Sequence, residues 1–217
     1  MVRVFCLVIG YLFGLFQTAY FYGKMKGVDI REHGSGNAGT TNALRVFGTK
    51  VGLLVFAGDC LKCILAVAAC RLIFGKLYPE ITALICIYAA TGAILGHNYP
   101  FYMNFKGGKG IAATAGLIAS LHPTFIPVGL LLFFGAFFLT HYVSLGSLLV
   151  YAGLMIQLVI SGQMGLFGMS QVHLNEMYAV GLFLTAMAYW KHRANIGRLL
   201  RGEERKTYLS SKHAGKK

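Results

Sequence analysis

The sequence is poor in charge, and in acidic residues above all. Only 12% of its 217 residues are charged, and Asp and Glu together number 7 against 20 Lys and Arg. From Gly110 to Asn175 there is no Asp, Glu, Lys or Arg at all. So little polar surface excludes a soluble globule of this size. At about 20 apolar residues per crossing, the neutral block is long enough for three membrane spans.

The residues that are abundant are apolar, at 56% of the chain with a mean hydropathy of +0.62. Lipid offers the backbone no hydrogen-bond partner, so continuous apolar runs predict helices, and the lack of alternation argues against a β-barrel. We therefore predict an all-α, polytopic membrane helix bundle formed by one domain over residues 1–217, with seven spanning segments. These are Val4–Tyr22, Val51–Phe74, Ile81–Gly96, Ile111–His122, Thr124–Thr140, Ser144–Ile160 and Met177–Trp190.

The basic residues predict the orientation of these segments. They cluster in the first and third loops and after Trp190, where nine of them lie between Lys191 and Lys217. The positive-inside rule then puts the N-terminus outside and both loops in the cytoplasm, with a short basic tail from about residue 198. Arg3 argues weakly the other way, and a five-span arrangement with two re-entrant or interfacial segments stays open. The charge accompanies no nucleic-acid recognition fold, so we expect no nucleic-acid partner.

Two further features lie inside the apolar segments. Cys60 and Cys63 form a C-x-x-C pair within a predicted span, which favours small hydrophobic side chains over a redox site. Asp59 and Lys62 are three residues apart in the same span. Ionisable groups are costly there and usually paired, so an internal ion pair is favoured over a catalytic role.

The first polar stretch runs from Gly34 to Asn42 and is followed by Arg45. Glycines allow close backbone approach, and hydroxyl and amide side chains supply donors, so the stretch is typical of an anion site. A flexible turn with helix-capping residues is the alternative. The candidate substrate-binding residues are Ser35, Gly36, Asn37, Gly39, Thr41, Asn42 and Arg45.

The second stretch, Phe105 to Gly110, fails the nucleotide P-loop pattern because Gly110 follows the lysine where Ser or Thr is required. The stretch places two lysines beside glycines, which leave the backbone exposed, at the start of an apolar helix, and a helix N-terminus attracts anions. A basic turn that reaches lipid headgroups is the alternative. The candidate binding residues are Lys106, Gly107, Gly108 and Lys109.

The third stretch follows the last apolar segment. On a continuing helix, His192, Asn195 and Arg198 would share one face, and a histidine beside an amide is suited to orient or deprotonate a hydroxyl. Arg198 is the candidate substrate-binding residue of this stretch. An ordinary interfacial histidine is the alternative. Ser144, at a predicted cytoplasmic turn, is either a further site hydroxyl or the N-cap of its helix.

Together these stretches resemble the acyl-phosphate-dependent glycerol-3-phosphate acyltransferases of bacterial membranes. The resemblance covers nearly the whole chain. It rests on Ser35-Gly36-Asn37-x-Gly39-x-Thr41-Asn42 with Arg45, on Gly96-His97-x-x-Pro100 with Phe105-Lys106-Gly107-Gly108-Lys109-Gly110, and on His192-Arg193-x-Asn195-Ile196-x-Arg198-Leu199 with Gly202 and Glu204. One departure is Ala113, where the family usually has threonine, with Thr114 following instead.

The resemblance implies transfer of a fatty acyl group from acyl phosphate to the 1-hydroxyl of sn-glycerol 3-phosphate, the first acylation of phospholipid synthesis. It also implies a multi-pass protein of the bacterial plasma (inner) membrane with its active site facing the cytoplasm. Acyl phosphate is already an activated anhydride, so no cofactor or metal is demanded. We expect the Ser35–Asn42 loop, Lys109 and Arg45 to bind phosphate. His192 and Asn195, with Ser144 close by, are the candidate catalytic residues.

Two other classes of protein share some of these features. Acyl-CoA enzymes with an H-x-x-x-x-D box are disfavoured, because Lys24 and Leu54 stand five residues before the chain's two aspartates. An organophosphate transporter would also use basic groups and many spans. Transporters tend to bind at mid-membrane between two related halves, and this sequence has no internal repeat. The transporter is kept as the alternative to the enzyme.

Overall fold

The computed structural model describes residues 1–208, and within them every regular element is a helix. The C-terminal part of the predicted tail, residues 209–217, lies outside the described residues. Short 3-10 turns occur at Ile30–Glu32, Pro79–Ile81 and Phe101–Met103. The α-helices are α1 (Val2–Gly14), α2 (Thr18–Met25), α3 (Thr40–Phe47), α4 (Thr49–Phe74), α5 (Thr82–Asn98), α6 (Ile111–Leu121), α7 (Phe125–Thr140), α8 (Val143–Gln163), α9 (Gln171–Lys191) and α10 (Arg193–Leu200).

Each predicted apolar segment corresponds to a helix, and the first corresponds to two. The segment predicted as one span is interrupted between Gly14 and Thr18. There the buried Gln17 side chain donates to the carbonyl oxygens of Gly14, Gly96 and His97 at 3.1–3.2 Å. The interruption therefore joins α1 to the end of α5 by hydrogen bonds that a local apolar pattern does not reveal.

Within residues 1–208, four stretches are long and apolar enough to cross a bilayer: Val2–Met25, Thr49–Phe74, Pro79–Met103 and Val143–Gln163. This supports the membrane class without fixing the number of crossings. At 1.5 Å per residue, α6 is roughly 16 Å long and α7 roughly 24 Å, both short of a ~30 Å hydrocarbon core. The count of seven crossings stays a prediction.

The central contact of the bundle is between α1 and α5, whose backbones touch through small residues. A Cβ added at Gly10 would lie 2.0 Å from the carbonyl oxygen of Ala89, and one added at Gly92 would lie 2.2 Å from that of Leu7. Small residues of this kind are how membrane helices pack closely, because van der Waals contact replaces the hydrophobic driving force.

At the end of the bundle away from the motif loops, Arg3 of α1 pairs with Glu176 of α9. Its Nη2 donates to Glu176 Oε2 at 2.7 Å, and Tyr88 donates to the other carboxylate oxygen at 2.9 Å. The N-terminus and the start of α9 therefore lie at the same end. Arg3, the residue that argued against the predicted orientation, has its charge matched by a carboxylate.

Candidate active site

The three polar stretches meet around one cavity of about 770 Å³. Its polar wall is built by the 34–39 loop, α3, the starts of α6 and α8, and α10 with the chain after it. Its apolar arm runs between α6, α7 and α8. The side chains of that arm include Ile111, Ala115, Ile118, Ile126, Leu130, Phe133, Phe134 and Val150.

All the sequence-predicted site residues line this cavity except Lys106, Gly107 and Gly108. Lys106 is exposed, and the two glycines are buried beside the end of α5. Their N–H groups donate to the carbonyl oxygens of Asn98 and His97 at 3.2 and 3.0 Å. The glycines of this loop therefore allow close packing against α5. The sequence pattern predicted N–H groups free to bind an anion, but these two are already hydrogen-bonded within the protein.

The 34–39 loop is held by Asn42. Its Oδ1 accepts from the backbone N–H of Ser35 at 2.8 Å, while its Nδ2 donates to the carbonyl oxygens of Ile30 and His33 at 3.2 and 2.9 Å. Gly34 adopts a φ of 65°, and a Cβ there would lie 2.2 Å from Asn42 Oδ1. Asn42 lines the cavity, but its amide shapes the loop. Direct contact between Asn42 and substrate stays a prediction.

Arg45, on α3, lines the cavity, and one nitrogen of its guanidinium is hydrogen-bonded within the protein. Its Nη2 donates to Thr207 Oγ1 at 2.9 Å, and the backbone N–H of Thr207 donates to the His141 carbonyl at 2.9 Å. Burial, and then the charges of Arg205 and Arg198, lower the pKa of Arg45. The chain after α10 therefore folds back over the cavity and brings further cations to it.

Lys109 and Asn195 are hydrogen-bonded to each other, which joins the second stretch to the third. Lys109 precedes Gly110, whose φ of 85° turns the chain into α6. Burial lowers the pKa of Lys109 to about 8, and Arg198 and Arg45 act in the same direction while Glu204 opposes them. An anion in this cavity would meet a lysine that is short of compensating negative charge.

Glu204, in the chain after α10, links α8 and α10 through hydrogen bonds. Its Oε1 accepts from Asn195 Nδ2 at 2.7 Å and from Ser144 Oγ at 3.1 Å, and its Oε2 accepts from Arg198 Nε at 2.7 Å. Burial opposes ionisation of this carboxyl, but the three hydrogen bonds together lower its pKa. Ser144 thus lines the cavity and is hydrogen-bonded to Glu204, and its contact with substrate stays a prediction. The N-cap alternative is wrong, because Tyr142 occupies the cap of α8.

His192 lies at the junction of α9 and α10 and is 3% exposed. Its Nδ1 lies 2.8 Å from the carbonyl oxygen of Ala188, which can only accept, so Nδ1 carries a proton and Nε2 is left with its lone pair. Burial, and then the charge of Lys109, lower the pKa of His192 to about 4. At neutral pH the imidazole is unprotonated at Nε2 and can accept a proton.

Sequence reasoning missed two parts of the site. Glu204 and Thr207 were not candidates, and only the family motif around Glu204 could have indicated that residue. The ion pair predicted at Asp59 and Lys62 is confirmed, at 2.9 Å, but its position was not foreseen. Asp59 and His97 both line the cavity.

Comparison with known proteins identifies relatives over almost the whole chain. A family model described as glycerol-3-phosphate acyltransferase matches residues 4–202. The enzyme of that name from Halalkalibacterium halodurans is 39% identical over 202 residues, which cover 92% of this chain and 93% of the relative. That of Clostridioides difficile is 39% identical over 206 residues, covering 92% of each chain.

Solved structures agree. The crystal structure of PlsY (YgiH), an integral membrane glycerol 3-phosphate acyltransferase in its glycerol 3-phosphate form, superposes with a TM-score of 0.81 at 32% identity and covers 95% of this chain and 96% of that one. Its lysophosphatidic acid form gives a TM-score of 0.78 at 31% identity over the same shares. These relatives support an acyltransferase and give the transporter alternative no support. The chain belongs to the glycerol-3-phosphate acyltransferase family.

Proposed function

We propose that this protein transfers a fatty acyl group from acyl phosphate to the 1-hydroxyl of sn-glycerol 3-phosphate, giving 1-acylglycerol 3-phosphate and phosphate. The observation that carries the proposal is a single cavity that joins a cationic wall to an apolar arm. Both substrates carry phosphate, and one also carries an alkyl chain. A cavity with both kinds of wall accommodates them together at a lipid surface.

The basic side chains of the cavity bind the substrate phosphates. Arg45 binds glycerol 3-phosphate through the fork geometry that suits phosphate oxygens. Lys109 adds its positive charge where the two phosphates meet, and the 34–39 loop contributes those N–H groups that are not bonded within the protein, as the N–H groups of Ser35 and Gly36 are. The alkyl chain lies along the apolar arm, which aligns the acyl carbonyl at the polar end. Holding both reactants in this way converts a two-molecule reaction into an effectively unimolecular step.

In the chemical step, the 1-hydroxyl oxygen attacks the acyl carbonyl carbon. The new ester C–O bond forms and the C–O bond to phosphate breaks, so the electron pair leaves with phosphate. The hydroxyl proton moves to Nε2 of His192, and then to the departing phosphate. Asn195 and Ser144, both bonded to Glu204, orient the hydroxyl. If His192 only orients, the donor's own phosphate takes the proton directly.

Donor choice tests the proposal. Purified full-length protein should form 1-acylglycerol 3-phosphate from palmitoyl phosphate, and EDTA should not reduce the rate. The physical reason is that the anhydride is already activated and the cavity supplies its own cations. Full activity with palmitoyl-CoA, or complete loss in EDTA restored by Mg²⁺, contradicts it.

We further propose that the chain crosses a bacterial plasma membrane seven times, with the N-terminus outside and the cavity open to the cytoplasm. The pairing of Arg3 with Glu176 supports one common end for the N-terminus and the 164–170 loop. The start of α6 and the start of α8 share the cavity, so α6 leaves it and α7 returns to it. That return fits either two short crossings or a re-entrant pair.

Single-cysteine labelling separates these topologies in a protein that lacks the five native cysteines. Ser35→Cys and Lys106→Cys should react from the cytoplasm, and Gln163→Cys and Gln171→Cys from outside. His122→Cys, between α6 and α7, should also react from outside. Protection of His122→Cys from both sides favours the five-span arrangement, and labelling of all positions from one side contradicts both.

A further inference from the structure

A buried polar cluster lies beneath the cavity and has no part in the mechanism above. It consists of Asp59 and Lys62 of α4 and His97 of α5, which are 1%, 5% and 2% exposed. Buried ionisable groups in a membrane protein are costly, and a cluster of them beside a binding cavity indicates function.

Lys62 determines the protonation of His97. Its Nζ lies 2.7 Å from the Phe16 carbonyl oxygen, 2.9 Å from Asp59 Oδ1 and 2.9 Å from His97 Nδ1. An ammonium group has three donors and no acceptor, so all three contacts are donations by lysine. The Nδ1 atom of His97 is therefore an acceptor, and the ring proton of the neutral imidazole resides on Nε2.

That proton lies against Gly108, the residue before Lys109, on a side chain that lines the cavity. The Nε2 atom makes no hydrogen bond with any residue in the described range 1–208, and His97 is a lining residue of the cavity. Gly108 lies against the ring edge, and a Cβ added there would come within 1.9 Å of Nε2. This N–H therefore has no acceptor among residues 1–208, and a phosphate oxygen in the cavity would supply one.

Resting on the proposed function, we propose that the His97 Nε2–H donates a hydrogen bond to a substrate phosphate oxygen beside Lys109. Lys62 is a positioning residue that fixes the tautomer, and Asp59 is a positioning residue that keeps Lys62 an ammonium. Asp59 Oδ1 also accepts from Thr18 at 3.2 Å, which anchors the cluster to α2. The phosphate belongs either to glycerol 3-phosphate or to the acyl donor, and the two substrates are tested separately.

Two substitutions of His97 distinguish donation from packing. His97→Asn keeps a group that can accept from Lys62 but has nothing at the Nε2 position. His97→Gln reaches that position with an amide N–H. Equilibrium binding of glycerol 3-phosphate and of palmitoyl phosphate is measured separately on full-length protein, with thermal unfolding as the check on folding. We expect His97→Asn to weaken binding of one ligand by about ten- to a hundredfold, and His97→Gln to regain part of it.

Unaltered protein provides the second measurement, which does not depend on how the variants fold. The ¹⁵N spectrum of His97 should show the proton on Nε2 and should shift when inorganic phosphate is added. Lys62→Met should mix the two tautomers, which loss of packing alone would not do. A proton on Nδ1, or a folded His97→Asn protein that binds both ligands normally, overturns the inference. If the unaltered protein binds both ligands but transfers no acyl group, the proposed function is contradicted and this inference stands.

Discussion

His192 and His97 are both buried beside the same cavity, and each has one ring nitrogen occupied by the protein. The Nδ1 of His192 donates to a backbone carbonyl, so its Nε2 can accept a proton. The Nδ1 of His97 accepts from the Lys62 ammonium, so its Nε2 carries a proton. The comparison teaches that the partner of one ring nitrogen decides what the other nitrogen can do.

Substitution of His192 should have the largest effect. His192→Ala removes the proton acceptor, and a positioned base contributes about 10²–10⁴ in rate, so turnover should fall by that factor with little change in substrate binding. Steady-state kinetics with directly measured binding checks this, because KM need not equal Kd. His173→Ala, a histidine outside the cavity, is the control. If turnover stays and only KM rises, His192 binds substrate, as His97 is inferred to do.

Arg45→Lys should weaken binding of glycerol 3-phosphate by about ten- to a hundredfold while turnover at saturation changes little. Lysine keeps the charge but loses the forked pair of N–H donors, and a hydrogen bond to a charged group is worth about 1.5–3 kcal/mol. The measurement is equilibrium binding, with the exposed Lys50→Ala as control. Unchanged affinity would remove Arg45 from the phosphate site and leave Lys109 and His97 to hold it.

The pH profile should report Lys109, because the pKa of its ammonium is about 8 in the free protein. Lysine is charged below its pKa, so kcat/KM for glycerol 3-phosphate should fall by up to about tenfold per unit as pH rises above 8. His192, with a pKa of about 4, stays neutral over this range and should not contribute. Lys109→Arg should extend the plateau to higher pH. The same alkaline fall in Lys109→Arg would assign it to another group.

The smallest effect should come from the apolar arm, where neither histidine takes part. Gly129 lines this arm, and a Cβ there would lie 3.3 Å from Ile118 Cδ1, so a larger side chain at this position is expected to narrow the arm. Gly129→Leu should reduce use of palmitoyl phosphate several-fold against lauroyl phosphate, since losing the burial of a single methylene costs about 0.8 kcal/mol, roughly fourfold. Binding of glycerol 3-phosphate should not change. Equal loss with both chain lengths would contradict this path for the chain.

Much of the fold could be predicted from local pattern. The apolar runs gave helices at Val51–Phe74 and Ser144–Ile160 within a few residues of α4 and α8, because lipid forces such segments to satisfy their own backbone. The interruption after Gly14 could not be predicted, since two polar residues, Gln17 and Thr18, do not by themselves end an apolar run as long as Val4–Tyr22. It depends on Gln17 reaching carbonyls on α5 that lie far away in sequence.

The site divides in the same way. Arg45, Lys109 and His192 were recognisable because basic and glycine-rich stretches at membrane faces are unusual in sequence. The side-chain roles within those stretches depend on distant partners. The sequence pattern predicts that Gly108 belongs to an open anion-binding loop, but in the structure Gly108 packs against His97. In the sequence, Glu204 is one acidic residue in a basic tail, but in the structure it accepts hydrogen bonds from Ser144 of α8 and Asn195 of α10.

The central claim is that one cavity brings acyl phosphate and glycerol 3-phosphate together for direct transfer. Release of inorganic phosphate from palmitoyl phosphate by the purified full-length protein, with and without glycerol 3-phosphate, tests it most directly. The account predicts that release requires glycerol 3-phosphate, with one phosphate set free for each 1-acylglycerol 3-phosphate formed. Release at the same rate without glycerol 3-phosphate, or no release when both substrates are present, would contradict it.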